Sequence, residues 1–228
     1  HNIRFRPKSM NVVSHKHKVI ILTPSKCSTH SLKTFLESAG IEFDEPKREV
    51  NNIFYHSLLS EICYAYYIPP HRLSEFKIIQ IVRNPYDRMI SSYFSQKQIF
   101  SLLPTFDGFL DNLQRSKYLL PFNVDEFYTQ FYGDFNYKKH SLSNGNWGGL
   151  RFYFDQSWWN NLGANVSYFK LENINQDSSK LCNFLGINQQ PYPKVNSKNY
   201  NKISLTPQNK EVIYNLYTND FKMYNYSK

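Results

Sequence analysis

Four apolar residues, "VIIL" at 19–22, run straight into "TPSKCSTHSLKTFL", a turn without glycine that leads into a helical pattern. A short continuous apolar run of this kind suits a strand buried on both faces of a parallel sheet. Beyond the turn, Leu32, Phe35, Leu36 and Ala39 recur at helical spacing, and Gly40 stands where a helix ends. The same grammar returns at "KIIQIVRNPYDRMISSYF". It predicts a strand around Ile78 to Val82, Asn84 and Pro85 as N-cap and first helical residue, and an apolar stripe of Met89, Ile90, Tyr93 and Phe94. Two strand-to-helix units constrain the chain to an α/β fold of three layers, with a central parallel sheet flanked by helices.

Elsewhere the pattern is uneven. "VSYFKL" (166–171) predicts another strand, and Leu181, Phe184 and Leu185 ahead of Gly186 predict a short helix. A last helix starts at Thr206-Pro207 and carries Val212, Ile213, Leu216, Tyr217 and Phe221 on one face. Residues 1–18 hold Arg4, Arg6, Lys8, Lys16 and Lys18 with no acid, and read as a solvated basic arm. Its "HKHK" at 15–18 reads as solvent-facing charge rather than as a metal site. With 228 residues, the remainder, 19–228, fits a single domain. Within it, about 95–160 mixes aromatics, Asn and Gly without a sustained period, and is expected to be an irregular insertion lining a cleft on the acceptor side.

Charge narrows the partners. The chain has 27 Lys plus Arg against 18 Asp plus Glu, which favours an anionic partner without choosing among nucleotide, glycan, nucleic acid and membrane. Cys27, Cys63 and Cys182 are widely spaced and odd in number, so neither a disulfide framework nor a zinc site is indicated and no metal is expected. No apolar run is long enough to span a bilayer, and the N-terminal stretch lacks a signal-peptide core. Asn165-Val-Ser167 and Asn225-Tyr-Ser227 match the glycosylation sequon, a pattern short enough to arise by chance.

The chemistry concentrates in the turn after 19–22. In a Walker A loop the lysine comes near the end and the next hydroxyl binds magnesium. Here Lys26 leads, and Ser28, Thr29 and Ser31 follow at the start of the predicted helix, where free N–H groups and the helix dipole favour an anion. "PSKCSTHSLKTFL" resembles the 5′-phosphosulfate loop of the sulfotransferases that use 3′-phosphoadenosine 5′-phosphosulfate (PAPS), typically P-x-K-x-G-[ST]-[ST]-x-L. "VRNPYDRMISSY" resembles their 3′-phosphate motif, R-[DN]-P-x-x-R-x-x-S-x-Y. The closing stretches, "YFKLENINQDSSKLCNFLGI" and "LTPQNKEVIYNLYTNDFKMYNY", are similar to the last strand and helices of the carbohydrate branch, Golgi-type and bacterial.

The resemblance implies a P-loop-like fold with PAPS, and its product adenosine 3′,5′-bisphosphate, lying across the strand ends. Matched residue by residue, it implies that Lys26, Cys27, Ser28, Thr29, His30 and Ser31 hold the 5′-phosphosulfate, with Lys26 at the bridging oxygen. It implies that Arg83 and Ser91 grip the 3′-phosphate, and that Lys198, in a late loop, meets the same group. Ser91 lies about two turns into its helix, so it and the strand-ending Arg83 can approach one anion. The family's loop glycine is Ser28 here; a serine makes this turn provided φ stays negative. His30 stands where many relatives have Ser or Thr.

For a hydroxyl acceptor a positioned base is required. His56, which follows a predicted second strand, is the first candidate, because the resemblance places it where several glycan-modifying relatives have an active-site histidine; Glu49 is the alternative, since other branches of the family use a carboxylate at the end of this strand. Glu172 is expected to fix local structure, and Trp147, Trp158 and Trp159 to serve either the core or ring stacking. The implied activity is transfer of a sulfuryl group to a hydroxyl of a saccharide or other small acceptor, without nucleic acid as partner. A kinase-like phosphoryl transferase and a non-enzymatic anion-binding module are the competing readings. Few cysteines favour the cytoplasm, against a Golgi lumen reached through an anchor.

Overall fold

The computed structural model describes residues 11–47, 57–99, 105–120, 153–193 and 203–228. Four strands, β1 (Val13–Ser14), β2 (Val19–Leu22), β3 (Lys77–Val82) and β4 (Val166–Lys170), form one sheet in the order β1-β2-β3-β4. β2, β3 and β4 run parallel, with Val19 opposite Lys77, Leu22 opposite Gln80 and Val82 opposite Lys170. Seven α-helices are described: α1 (Thr29–Ser38), α2 (Leu59–Tyr66), α3 (Pro85–Ile99), α4 (Phe106–Ser116), α5 (Ile174–Leu185), α6 (Pro207–Leu216) and α7 (Thr218–Met223). The central sheet flanked by helices is the expected α/β architecture.

The two strand-to-helix units fold as their patterns dictate. Ile20, Ile21, Ile78, Ile79 and Ile81 are sealed in the sheet, and Leu32, Phe35 and Leu36 of α1 and Met89 and Tyr93 of α3 pack into the same core. Asn84 Oδ1 accepts the Tyr86 N–H at 2.9 Å, and Pro85 opens α3 without an N–H to satisfy. At α6, Thr206 Oγ1 accepts the Asn209 N–H while Asn209 Oδ1 accepts the Thr206 N–H, both at 3.1 Å, which closes a reciprocal cap.

Three expectations change. The stretch preceding β2 is not solvated throughout: Val12, Val13 and Ser14 are buried, and β1 adds an antiparallel edge to the sheet. Apolar side chains there outweigh the flanking charges, which pair on the surface as Lys16–Glu42 and Lys18–Glu75, while His15 hydrogen-bonds Asp44. The 95–160 window is not irregular throughout, because α3 runs on to Ile99 and α4 is a regular amphipathic helix. Phe106, Phe109, Leu110 and Leu113 bury its inner face at the i, i+3, i+4, i+7 spacing. The last helix is two, α6 and α7, meeting at Tyr217, whose ring is fully buried.

Candidate functional site

Because β2, β3 and β4 are parallel neighbours, the segments that follow them emerge at one edge of the sheet, where ligands gather in open α/β folds. The first carries the glycine-free loop. Cys27 N–H donates to Pro24 O at 3.3 Å, closing a tight turn whose third residue, Lys26, has φ 66°. Ser28, the N-cap of α1, has φ 61° and ψ 35°. Both lie in the left-handed region, which costs an ordinary L-residue roughly 1–2 kcal/mol. The requirement that φ stay negative at Ser28 is therefore overturned. The backbone keeps the glycine-like bend, because it must reverse between a buried strand and a buried helix, and the serine bears the strain.

That bend has an electrostatic product. Left-handed residues at Lys26 and Ser28 flank Cys27, which is not left-handed, an alternation of the kind that lines anion-binding concavities in other proteins. No side chain caps α1 and no acid occupies its first turn, so the positive end of the helix dipole is left uncountered there. Thr29 and Ser31 are buried at this end and His30 is exposed. The Tyr192 hydroxyl, sealed from water without a partner at hydrogen-bonding geometry, lies against the Ser28 side chain.

The second segment follows β3. Arg83 Nη1 donates to Lys26 O at 3.3 Å, which brings the predicted 3′-phosphate arginine against the predicted 5′-phosphosulfate loop. Half-buried Lys26 directs its ammonium to Ser95 Oγ on α3, one turn beyond the buried Ser91. From the third segment, after β4, Glu172 Oε1 accepts the Asn84 N–H at 2.6 Å and Oε2 accepts the Tyr226 hydroxyl at 3.0 Å. Glu172 thus holds local structure.

Under the loop lies a polar scaffold. The Cys27 side chain turns inward, its thiol donating to Gln156 Oε1 at 3.0 Å, and burial pushes its pKa up to about 12. The thiol is therefore committed to the scaffold, as the Cys27 N–H is to the turn. Arg88 is fully buried, donates through Nε to Ser25 O at 3.1 Å, and faces the Asp220 carboxylate at 3.8 Å. Its guanidinium also sits 6.0 Å from the Trp159 ring and 5.8 Å from that of Tyr217. Trp159 is a core residue, and Trp158 is partly buried against Phe154.

Lys26, Cys27, Ser28, Thr29, His30, Ser31, Arg83 and Ser91 are thus gathered on neighbouring segments. Glu49, His56, Trp147 and Lys198 lie outside the described residues. Sequence reasoning missed Ser95, Arg88, Gln156 and Tyr192 as site components. Ser95 was readable as the residue one helical turn after Ser91, and Arg88 stood inside the quoted motif without a role. Gln156 and Tyr192 carry no local signal, since their partners are distant in the chain.

The fold is thus an α/β sheet at whose edge an uncapped helix start, the loop lysine Lys26 and the strand-end Arg83 stand side by side. The chain belongs to the sulfotransferase family, whose model matches residues 10–227. A crystal structure of a sulfotransferase from Alicyclobacillus acidocaldarius is similar at 15% identity and a TM-score of 0.44, over 90% of this chain and 92% of that one. No curated protein matches the chain.

Proposed function

We propose that this sulfotransferase takes its sulfuryl group from PAPS and delivers it to a hydroxyl, with a saccharide as the acceptor class. The observation that carries the reading is the contact between Arg83 and the loop carbonyl of Lys26, which sets two cationic grips side by side at neighbouring helix starts. The donor fits the residues present, because the α1 entrance offers N–H groups and hydroxyls without an opposing acid. When bound, the donor supplies an activated sulfuryl group on a phosphate leaving group.

The chain's own residues do the rest. The 26–31 segment orients the 5′ end through main-chain N–H groups and the hydroxyls of Ser28, Thr29 and Ser31, while Arg83 and Ser91 hold the 3′-phosphate. Lys26 places a positive charge where the leaving oxygen gains negative charge. Ser95, which now accepts from the Lys26 ammonium, holds that charge in reach of the loop. His56, with Glu49 as alternative, is the proposed base for the acceptor hydroxyl, and Lys198 a further contact to the 3′-phosphate. No described helix is long and apolar enough to cross a membrane. The three cysteines, all buried and unpaired, support a reducing compartment, the cytoplasm.

The test is calorimetric titration with adenosine 3′,5′-bisphosphate, followed by transfer of label from PAPS to a panel of saccharides and small alcohols. Saturable one-to-one binding and labelled saccharide are expected. Absence of bisphosphate binding, with turnover of ATP and magnesium instead, would replace this reading with phosphoryl transfer.

A further inference from the structure

We infer that Gln156 is the positioning residue that sets the distance between the two anion grips. The inference rests on the two-ended donor site proposed above. Gln156 is fully buried in the short helical turn Gln156–Asn160, far along the chain from both grips. Its carboxamide oxygen accepts the Arg83 N–H at 2.7 Å, and its Nε2 donates to Arg83 O at 2.8 Å. The side chain therefore continues the sheet's pairing past Val82, clasping both main-chain groups of one residue as a neighbouring strand would. The same oxygen accepts the Cys27 thiol at 3.0 Å, and Nε2 also reaches Asp220 Oδ2 at 3.3 Å.

A primary amide has two N–H donors and two acceptor lone pairs, and all are engaged here. Its orientation is therefore unambiguous: the Arg83 N–H demands the oxygen and the Arg83 carbonyl demands the nitrogen. Its main chain is anchored as well, the Gln156 N–H donating to Asp220 Oδ2 and its carbonyl accepting from Gln80 Nε2, both at 2.8 Å. One rigid amide thus ties the loop residue next to Lys26 to the residue that supplies the second grip. A ligand with phosphates at both ends gains affinity only when the two subsites hold the right separation, whereas a ligand with one phosphate is indifferent to it.

That difference gives a readout that general destabilisation does not mimic. Three ligands are titrated by calorimetry: adenosine 3′,5′-bisphosphate, adenosine 5′-monophosphate and adenosine 3′-monophosphate. The proteins are wild type, Gln156→Met, which keeps length without polar atoms, and Gln156→Glu, which keeps the acceptor but loses the donors. The expected result is a bisphosphate Kd raised about tenfold or more in the variants, with each monophosphate changed less than about twofold. An unchanged bisphosphate Kd overturns the inference, and so does parallel weakening of all three ligands. Failure of both variants to fold, judged by near-ultraviolet circular dichroism, also overturns it, since Gln156 would then be a residue of the fold alone. If wild type itself binds the bisphosphate no tighter than the monophosphates, it is the two-ended donor site that fails.

Discussion

Ser28 shows what one residue contributes when the backbone around it is already committed. Its φ of 61° is the conformation a glycine adopts freely, yet a serine stands there, exchanging backbone ease for a hydroxyl at a helix start. Ser28→Gly relieves roughly 1–2 kcal/mol of left-handed strain. It returns roughly 0.5–1 kcal/mol through the freer unfolded chain. A net gain of about 0.5 kcal/mol in urea unfolding is the expected outcome, and a net loss would show that the Ser28 side chain's contact with Tyr192 outweighs the strain. Lys26 belongs to the same scale. Because its proposed charge acts on the leaving oxygen, Lys26→Ala is expected to lower kcat about a hundredfold or more. The Kd of the bisphosphate should move by less than about threefold; the reverse pattern would assign Lys26 to binding.

Elements were legible where a strong local period met a cap. β2, β3, α1 and the start of α3 follow from apolar runs, Gly40 and the Asn84-Pro85 pair. At α6 the cap is measurable: Thr206→Ala removes the acceptor for the Asn209 N–H and should cost about 1 kcal/mol in urea unfolding, with no change in bisphosphate affinity. α4 was equally periodic but was overlooked, because the glycine at 108 and the aromatic neighbourhood masked an ordinary amphipathic face. β1 was missed for another reason, since two residues leave no period to read. Of the site, the loop and Arg83 were visible because each stands beside its own strand end. Gln156 was not, because its partners meet it only when the sheet is assembled.

At the scale of the molecule, the buried charges under the loop link the sheet to α7. Burial pushes Asp220 up to about 6, while the Arg88 guanidinium pulls it down and the Asp155 carboxylate adds to the rise. A carboxyl that keeps its proton in the folded state beyond the ordinary 3.8 binds an extra proton there. Its stabilising contribution is thus fully present below about 3.8 and lost as pH rises through about 6. Asp44 has the opposite sign: burial pushes it up, but the His15 hydrogen bonds together outweigh that and hold it below its usual value, so its contribution is lost as pH falls. Chemical denaturation of wild type and Asp220→Asn from pH 3.5 to 7 isolates the first effect. Wild type should lose stability relative to the variant as pH rises across that window, by up to about 3 kcal/mol. A constant difference would mean that Asp220 titrates in the folded protein where it does in the unfolded chain, with no upward shift.

The scaffold also imposes an order of events on biosynthesis. Ser25 and Cys27 leave the ribosome early, but Arg88 meets Asp220, and Gln156 receives the same carboxylate, only after α7 has been translated. Contacts so far apart along the chain form late. A nascent chain stalled before Asp220 would thus display the loop without its foundation.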